Sequence, residues 1–219
     1  MAFMKTYAFE GLTSATLAEI ATIRHEPDQP VFWDDLARRE LSEEDRVALS
    51  IFARKLVRYK AQRVNEATIW SRAIYPLLML AERGNIRAWS LVPLAATFDD
   101  VELRGKADGA LATSIDEEIG LPYLVVMEAK RGTQGTDPVA QLLAAMLCAA
   151  RLNEEGGHPG AEIFGCYTIA DVWTFMRGKV DWSSPKPVMT ALSSREYWEK
   201  TEAATILAML ESIVGRVEP

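Results

Sequence analysis

Hydrophobic and polar positions change their period several times along the chain. From Ser42 to Tyr75 neither Gly nor Pro occurs. Ser42 can cap a helix, and Glu43, Glu44 and Asp45 suit the positive end of its dipole. The pattern predicts one long helix, or two joined by a bend near Gln62. Trp70, Ala73, Ile74, Leu77 and Ala81 then recur at helical spacing as one apolar stripe. Glu66 stands four residues before Trp70, in line with that stripe. Either it lies in a frayed first turn and reaches solvent, or it faces the core and needs a compensating partner. Pro76 can break the helix and shift its phase.

After Gly84 the period falls to two. "IRAWSLVPLAA" and "VELRGKADGALAT" read as strands with "TFDD" as the turn between them. "SIDEEIGLP" reads as a polar loop and "YLVVMEAK" as a third strand. A helix follows from Asp137, a capping residue, and Pro138, suited to the first turn, to Gly156-Gly157. Val139, Leu142, Leu143, Met146, Leu147 and Ala150 form its apolar face. Gln141 is its one polar residue before Arg151. "EIFGCYTIADVWTFM" reads as a fourth strand that can continue into a hairpin. "SREYWEKTEAATILAMLESIVGR" reads as a closing amphipathic helix. Residues 1 to 41 are mixed, with Pro27 and Pro30 in a loop and an apolar patch at "VFWDDLA". The pattern suggests an N-terminal helical extension over 1–61 on an α/β domain over 62–219, or a single domain throughout.

Composition narrows the class. The chain has 219 residues, 49% hydrophobic and 25% charged, ordinary for a globular protein. No apolar run approaches the ~20 residues of a membrane-spanning helix. The N-terminus lacks the basic-then-apolar layout of a signal peptide, so a cytosolic protein with no membrane partner is expected. Cys148 and Cys166 form no metal-type cluster and are expected as buried thiols. With His25 and His158 as its only histidines, the chain has no histidine-rich zinc site. A net charge of −7 argues against a surface coated with Lys and Arg for nucleic acid, and leaves room for a local basic groove.

Within this pattern, charges occur where apolar residues are expected. Glu128 and Lys130 end the third strand, and their spacing puts both side chains on one face. Asp108 lies in the second strand, Gln141 on the following helix and Glu66 on the preceding one. A plainer reading makes Glu128 and Lys130 a surface ion pair and Asp108-Gly109 a turn. Against it, "KADGAL" continues apolar beyond the acid.

The order helix, three strands, helix, strand, with these residues, resembles the PD-(D/E)XK nuclease superfamily, also called restriction-endonuclease-like. The resemblance covers residues 62 to 175. It implies an α-β-β-β-α-β core with a central mixed sheet, here with added N- and C-terminal helices. Asp108 matches the motif Asp, and Glu128-Ala129-Lys130 matches (Asp/Glu)-x-Lys. Glu66 and Gln141 match the helix Glu and helix Gln of many members. Ala107 stands where the motif's name has Pro. The resemblance further implies Mg²⁺ or Mn²⁺ held by Asp108, Glu128, the Ala129 carbonyl and Glu66, and a phosphodiester of nucleic acid, DNA ahead of RNA, as substrate. Lys130 would orient or deprotonate the attacking water or stabilise the transition state, and Gln141 would position the Lys or the backbone. Arg72, Arg104, Lys106, Arg131 and Lys179 are candidates for a phosphate-binding groove, and a homodimer is a possible assembly. The stretch Arg54, Lys55, Arg58, Lys60 and Arg63 reads more simply as a solvated helix face. Two other classes stay open: a catalytically silent binding or assembly module on the same fold, and an unrelated small α/β enzyme.

Overall fold

The computed structural model describes residues 4–27, 29–57, 65–130 and 138–216, except the side chains of 53 and 55–57. The elements run β1 (Lys5–Ala8), α1 (Ser14–Ile20), β2 (Thr22–His25), α2 (Pro30–Ala37), α3 (Glu43–Val57), α4 (Glu66–Ile69) and α5 (Tyr75–Leu80). They continue β3 (Ile86–Phe98), β4 (Val101–Ile115), β5 (Glu118–Lys130), α6 (Pro138–Glu155), β6 (Ile163–Ile169), β7 (Val172–Asp181), β8 (Val188–Trp198) and α7 (Glu199–Val214). The fold is α/β with a mixed eight-stranded sheet in the order β1-β4-β5-β6-β7-β8-β2, and β3 pairs with β4. No helix among the described residues is long and apolar enough to cross a membrane. The expected bend at Gln62 and the cap at Asp137 lie outside the described residues.

The central strand β5 is buried on both faces, which explains its unbroken apolar run. Val125, Met127 and Ala129 face a layer built by α2, α3, α4, α5 and α7, including Trp33, Leu49, Ile74, Leu77, Leu207 and Leu210. Val126 faces the other layer, built by α1 and α6 with Leu17, Leu142, Met146 and Leu147. The bareness of α6 follows from this: Ala144, Ala145 and Cys148 are buried as fully as its leucines. Cys148 and Cys166 are both free and buried.

Several boundaries differ from the sequence reading. "SIDEEIGLP" is a hairpin, not a loop: β4 pairs through Ile115 with Glu118, and Asp116 and Glu117 form a two-residue turn with φ of 51° and 64°. Its polar residues lie at an exposed tip beyond the core, where polarity reports exposure and not the absence of a ladder. "SREYW" belongs to β8, not to the closing helix, because Glu196, Tyr197 and Trp198 pair with Thr174, Trp173 and Val172. Cross-strand pairing overrides local helix propensity there. The first 61 residues are not helical alone. β1 pairs parallel to β4, and β2 pairs parallel to β8. Arg83 ties α3 to α7, with Nη2 2.8 Å from both Asp45 and Glu211.

Pro76 does shift the helical phase. Residues Trp70–Ile74 form a π-helical turn between α4 and α5. The Tyr75 N–H donates to the Trp70 carbonyl, five residues back. Pro76 has no N–H to donate to Arg72, and the wider turn accommodates the lost bond. The buried stripe becomes Ile69, Ala73, Ile74, Leu77, Leu78 and Ala81. Trp70 is left half-buried and Glu66 exposed.

The β3–β4 hairpin bends sharply partway along. Ile86 and Ala88 pack in the α4–α5 layer, while Val92, Leu94, Ala96 and Phe98 pack in the α6 layer. The switch falls at Leu91, whose φ is 53°, and the ladder passes from Ser90–Gly109 to Val92–Ala107 without a Leu91–Asp108 pair. Beyond this point the hairpin folds over α6: the Leu103 carbonyl accepts a bond from Cys148 Sγ at 3.4 Å, and Phe98 stacks on Trp182.

At the far end of the sheet Glu199 is 0% exposed. Its Oε2 accepts from Trp173 Nε1 at 2.7 Å, and its Oε1 has no partner among the described residues. Burial, set against the Trp173 bond, and the nearby Asp171 charge push its pKa up to about 8. An acid with a raised folded-state pKa stabilises the fold most below its unfolded value, and loses that contribution as pH rises toward the folded one. Glu199→Gln keeps an acceptor for Trp173 and cannot ionise. Its melting temperature relative to wild type is therefore expected to climb between pH 4.5 and 8, by at most about 3–5 °C per pH unit. Thermal denaturation of both proteins over this range checks it; a difference that stays flat with pH would contradict the buried acid.

Candidate functional site

One edge of β4 carries two partners. β5 pairs with it from Ile115 to Gly109, and β1 pairs with it from Arg104 to Val101. Between them residues 105 to 108 have no strand partner on that edge among the described residues, while β3 covers the other edge. β1 and β5 are thus the two walls of a gap. The gap opens into a cleft of about 680 Å³, with Phe9 and Glu10 on one wall, Glu128 and Lys130 on the other, and Arg104, Lys106 and Asp108 along the floor. Gln141 reaches it from α6.

Two glycines permit this geometry. A Cβ on Gly105 would stand 2.3 Å from the Phe9 ring, so the end of β1 packs against β4 because that position is bare. A Cβ on Gly109 would stand 2.4 Å from the Trp70 ring. Isolated glycines within a strand pattern mark such close approaches, and "RGKADGAL" carries both.

The β4–β5 ladder ends at Gly109–Met127. One residue further the strands have parted, and the Asp108 side chain spans the opening: its Oδ2 accepts the Ala129 N–H at 2.7 Å. The Lys130 carbonyl accepts from Ala170 N on the opposite side. Backbone groups alternate along a strand, so the Ala129 carbonyl turns, like its N–H, toward Asp108. Glu128 and Lys130 project together on the α6 face, with Lys130 Nζ 2.6 Å from Glu128 Oε1.

Electrostatics in the site are dominated by burial. Glu128 is 5% exposed. Burial first, and then the charge of Asp108, push its pKa up to about 7, against the opposing bond and charge of Lys130. Burial likewise raises Asp108, against the Ala129 bond and Lys130. For Lys130 burial pulls downward but is outweighed by the Glu128 bond and the charges of Glu128, Asp108 and Glu66, so its pKa moves up. Lys130 is therefore an ammonium at neutral pH.

Gln141 is 5% exposed. Its Nε2 donates to the Phe9 carbonyl at 3.1 Å, and its Oε1 is buried with no partner among the described residues. A buried acceptor left open beside Lys130 and Glu128 can receive a donor from a ligand or a water. The Phe9 carbonyl, which fixes the Gln141 amide, was not legible in the sequence, because it is a main-chain group from a distant segment.

Glu66 and Ala129 stand on the other side of Asp108. They line a second cleft of about 330 Å³ together with Asp108, Trp70 and Leu91. Of the predicted groove cations, Arg104 and Lys106 line the first cleft. Lys179 is elsewhere, paired with Glu162 at 2.9 Å. Arg72 is exposed on the π turn and lines neither cleft. Arg131 lies outside the described residues, as do Arg58, Lys60, Arg63 and the Lys55 side chain. Arg54 is exposed on α3, donating to the Ser50 carbonyl within its own helix.

Among the described residues no group of three or more His, Cys, Asp or Glu side chains is placed to hold a metal ion. The oxygen donors at this parting of the strands are the Asp108 and Glu128 carboxylates, which line one cleft, and the adjacent Ala129 carbonyl. Such a set fits a hard cation that retains several waters. The Asp108 charge that helps raise the Glu128 pKa also favours a cation close to both carboxylates. No protein-family model matches the chain, and no curated protein matches it.

Asp108→Asn retains an acceptor for the Ala129 N–H and removes the charge that raises Glu128. In metal-free buffer at pH 8 it is expected to melt above wild type, by a stability gain on the order of 1 kcal/mol. Asp108→Ala loses the acceptor as well and is expected to melt below the Asn variant by a similar amount. Thermal denaturation in EDTA checks the pair; equal melting of Asn and Ala variants would remove the structural role given to the Asp108–Ala129 bond.

Proposed function

We propose that this chain is a metal-dependent nuclease that hydrolyses phosphodiester bonds of DNA, with a site of the PD-(D/E)XK type. The observation that carries the reading is the meeting of Asp108, Glu128 and Lys130 at one mouth, where two paired strands part. Further support comes from element order: helix, three strands, helix, strand, from α4–α5 through β6.

In this reading Asp108, Glu128 and the Ala129 carbonyl would hold Mg²⁺ or Mn²⁺, with Glu66 a further carboxylate on the other side of Asp108. Such a cation would supply Lewis acidity at the phosphate and an activated water. The side chains around it divide the remaining work. Lys130, held as an ammonium by Glu128, places positive charge beside the phosphoryl oxygens as negative charge accumulates on them. That role suits its raised pKa better than proton abstraction does. Arg104 and Lys106 on the cleft floor neutralise flanking phosphates. Gln141 offers its open carbonyl oxygen to Lys130 or to a substrate donor.

The test is cleavage of single-stranded and duplex DNA and of RNA by wild type, Asp108→Ala and Lys130→Ala, with Mg²⁺ or Mn²⁺ and an EDTA control. Wild type is expected to cut DNA in a metal-dependent manner. Lys130→Ala is expected to lose on the order of 10²- to 10³-fold in turnover, the usual loss of one stabilising group, with metal affinity near wild type. Asp108→Ala is expected to lose both metal binding and cleavage. A wild type that cuts nothing, or a Lys130→Ala variant that cuts equally well, overturns the catalytic reading in favour of a binding module.

A metal held between these acids must also displace protons. Since Glu128 titrates at about 7, metal affinity is expected to rise from pH 5.5 to 7.5 and then level off. Calorimetric titration with Mn²⁺ across this range checks it, and an affinity independent of pH would place the metal elsewhere.

A further inference from the structure

We infer that the second cleft, on the far side of Asp108 from Lys130, is a subsite for one unpaired nucleobase. The inference rests on the nuclease reading and names its substrate class: a single strand, or a strand end from which a base can be turned out. Asp108 lines both clefts. The first is charged and polar, with Arg104, Lys106, Glu128, Lys130 and Gln141. The second is walled by Trp70, Leu91, Ala67 and Ala129, with Glu66 at its polar side. A nucleotide has the same two-part chemistry, an anionic phosphate joined by a short sugar to a flat, largely apolar ring with polar edges. A phosphate at Asp108, Glu128 and Lys130 would leave its adjoining base within reach of the second cleft.

Size and rigidity point the same way. At about 330 Å³ the cleft falls at the small end of the ~300–1,000 Å³ that small organic ligands occupy, and suits one nucleoside better than a stacked pair. Trp70 is fixed before any ligand arrives. Its Nε1 donates to Ser90 Oγ at 3.1 Å, its ring lies against the bare Gly109, and Tyr75 backs it at a ring distance of 5.8 Å. The π turn leaves it half-buried when its neighbours in the stripe are fully covered. Across from it, Leu91 is 64% exposed and held at φ 53°, a left-handed conformation that a leucine adopts only at a cost. A strained backbone that holds a large apolar side chain in solvent is explained if that side chain covers a ligand. The Glu66 carboxylate can accept from an amino group on the base edge.

The experiment measures fluorescence-anisotropy binding of a short single-stranded DNA and of an equally long strand built from abasic residues. Measurements are made in EDTA, and with Mg²⁺ in the Lys130→Ala background. Stacking on one aromatic side chain predicts about tenfold tighter binding of the base-bearing strand. That preference should fall to within twofold in Trp70→Ala and in Leu91→Gly, and largely persist in Trp70→Phe. Leu91→Gly suits its backbone conformation, so its loss of preference cannot be assigned to misfolding. Cleavage is measured in parallel. Metal-dependent cleavage without a base preference overturns the subsite and leaves the nuclease reading. A base preference lost in both variants, without cleavage by wild type, supports the subsite and overturns the nuclease reading. A preference that survives both variants, or failure of either strand to bind, overturns the subsite.

Discussion

One hydrogen bond organises the candidate site: the Ala129 N–H donating to the Asp108 carboxylate at 2.7 Å. It lies where the β4–β5 ladder stops, one step past Gly109–Met127. Past that step β4 follows its hairpin over α6 while β5 stays paired with β6 through Lys130. A side chain replaces a main-chain bond at the parting of the strands. The buried amide remains satisfied, and the Asp108 carboxylate is fixed at the mouth of the opening.

The opening persists because the surrounding elements cannot close it. β1 occupies the same edge of β4 further along, with Phe9 seated on Gly105. Trp70 occupies the opposite side, seated on Gly109. Leu91 carries the bend on the outer strand. The acids are expensive in this setting, and the raised pKa of Glu128 and of Asp108 records that cost. It is offset by a core that covers both faces of β5, from Leu77 and Leu207 on one side to Leu142 and Met146 on the other. Strain at Leu91 and like charge at Asp108 and Glu128, gathered at one point of an otherwise well-packed sheet, mark a candidate functional site.

The N-terminal segment belongs to this arrangement. β1 forms one wall of the first cleft, and the Phe9 carbonyl fixes the Gln141 amide. Gln141 lines the first cleft from α6, yet its orientation is set by a residue 132 positions away. The closing helix serves the opposite layer, with Glu211 held by Arg39 and Arg83.

The sequence by itself determined the elements whose burial is one-sided or complete. The apolar run of β5, the alternation along β3, and the long apolar helix α6 are periodicities that the backbone imposes on any chain burying those faces. Asp108, Glu128, Lys130 and Gln141 were legible as polar residues inside apolar elements, because each contradicts its own pattern. Tertiary structure decided the rest. "SREYW" extends β8 because β7 lies beside it, and the polar hairpin tip at Asp116-Glu117 pairs because the core ends just short of it. The π turn that moves Trp70 out of the stripe needs Pro76 and the packing of α4 and α5 together. The bend at Leu91, the gap along β4 and the reach of Phe9 to Gln141 join segments far apart in sequence. They arise from which surfaces meet, and no local pattern of residues encodes that.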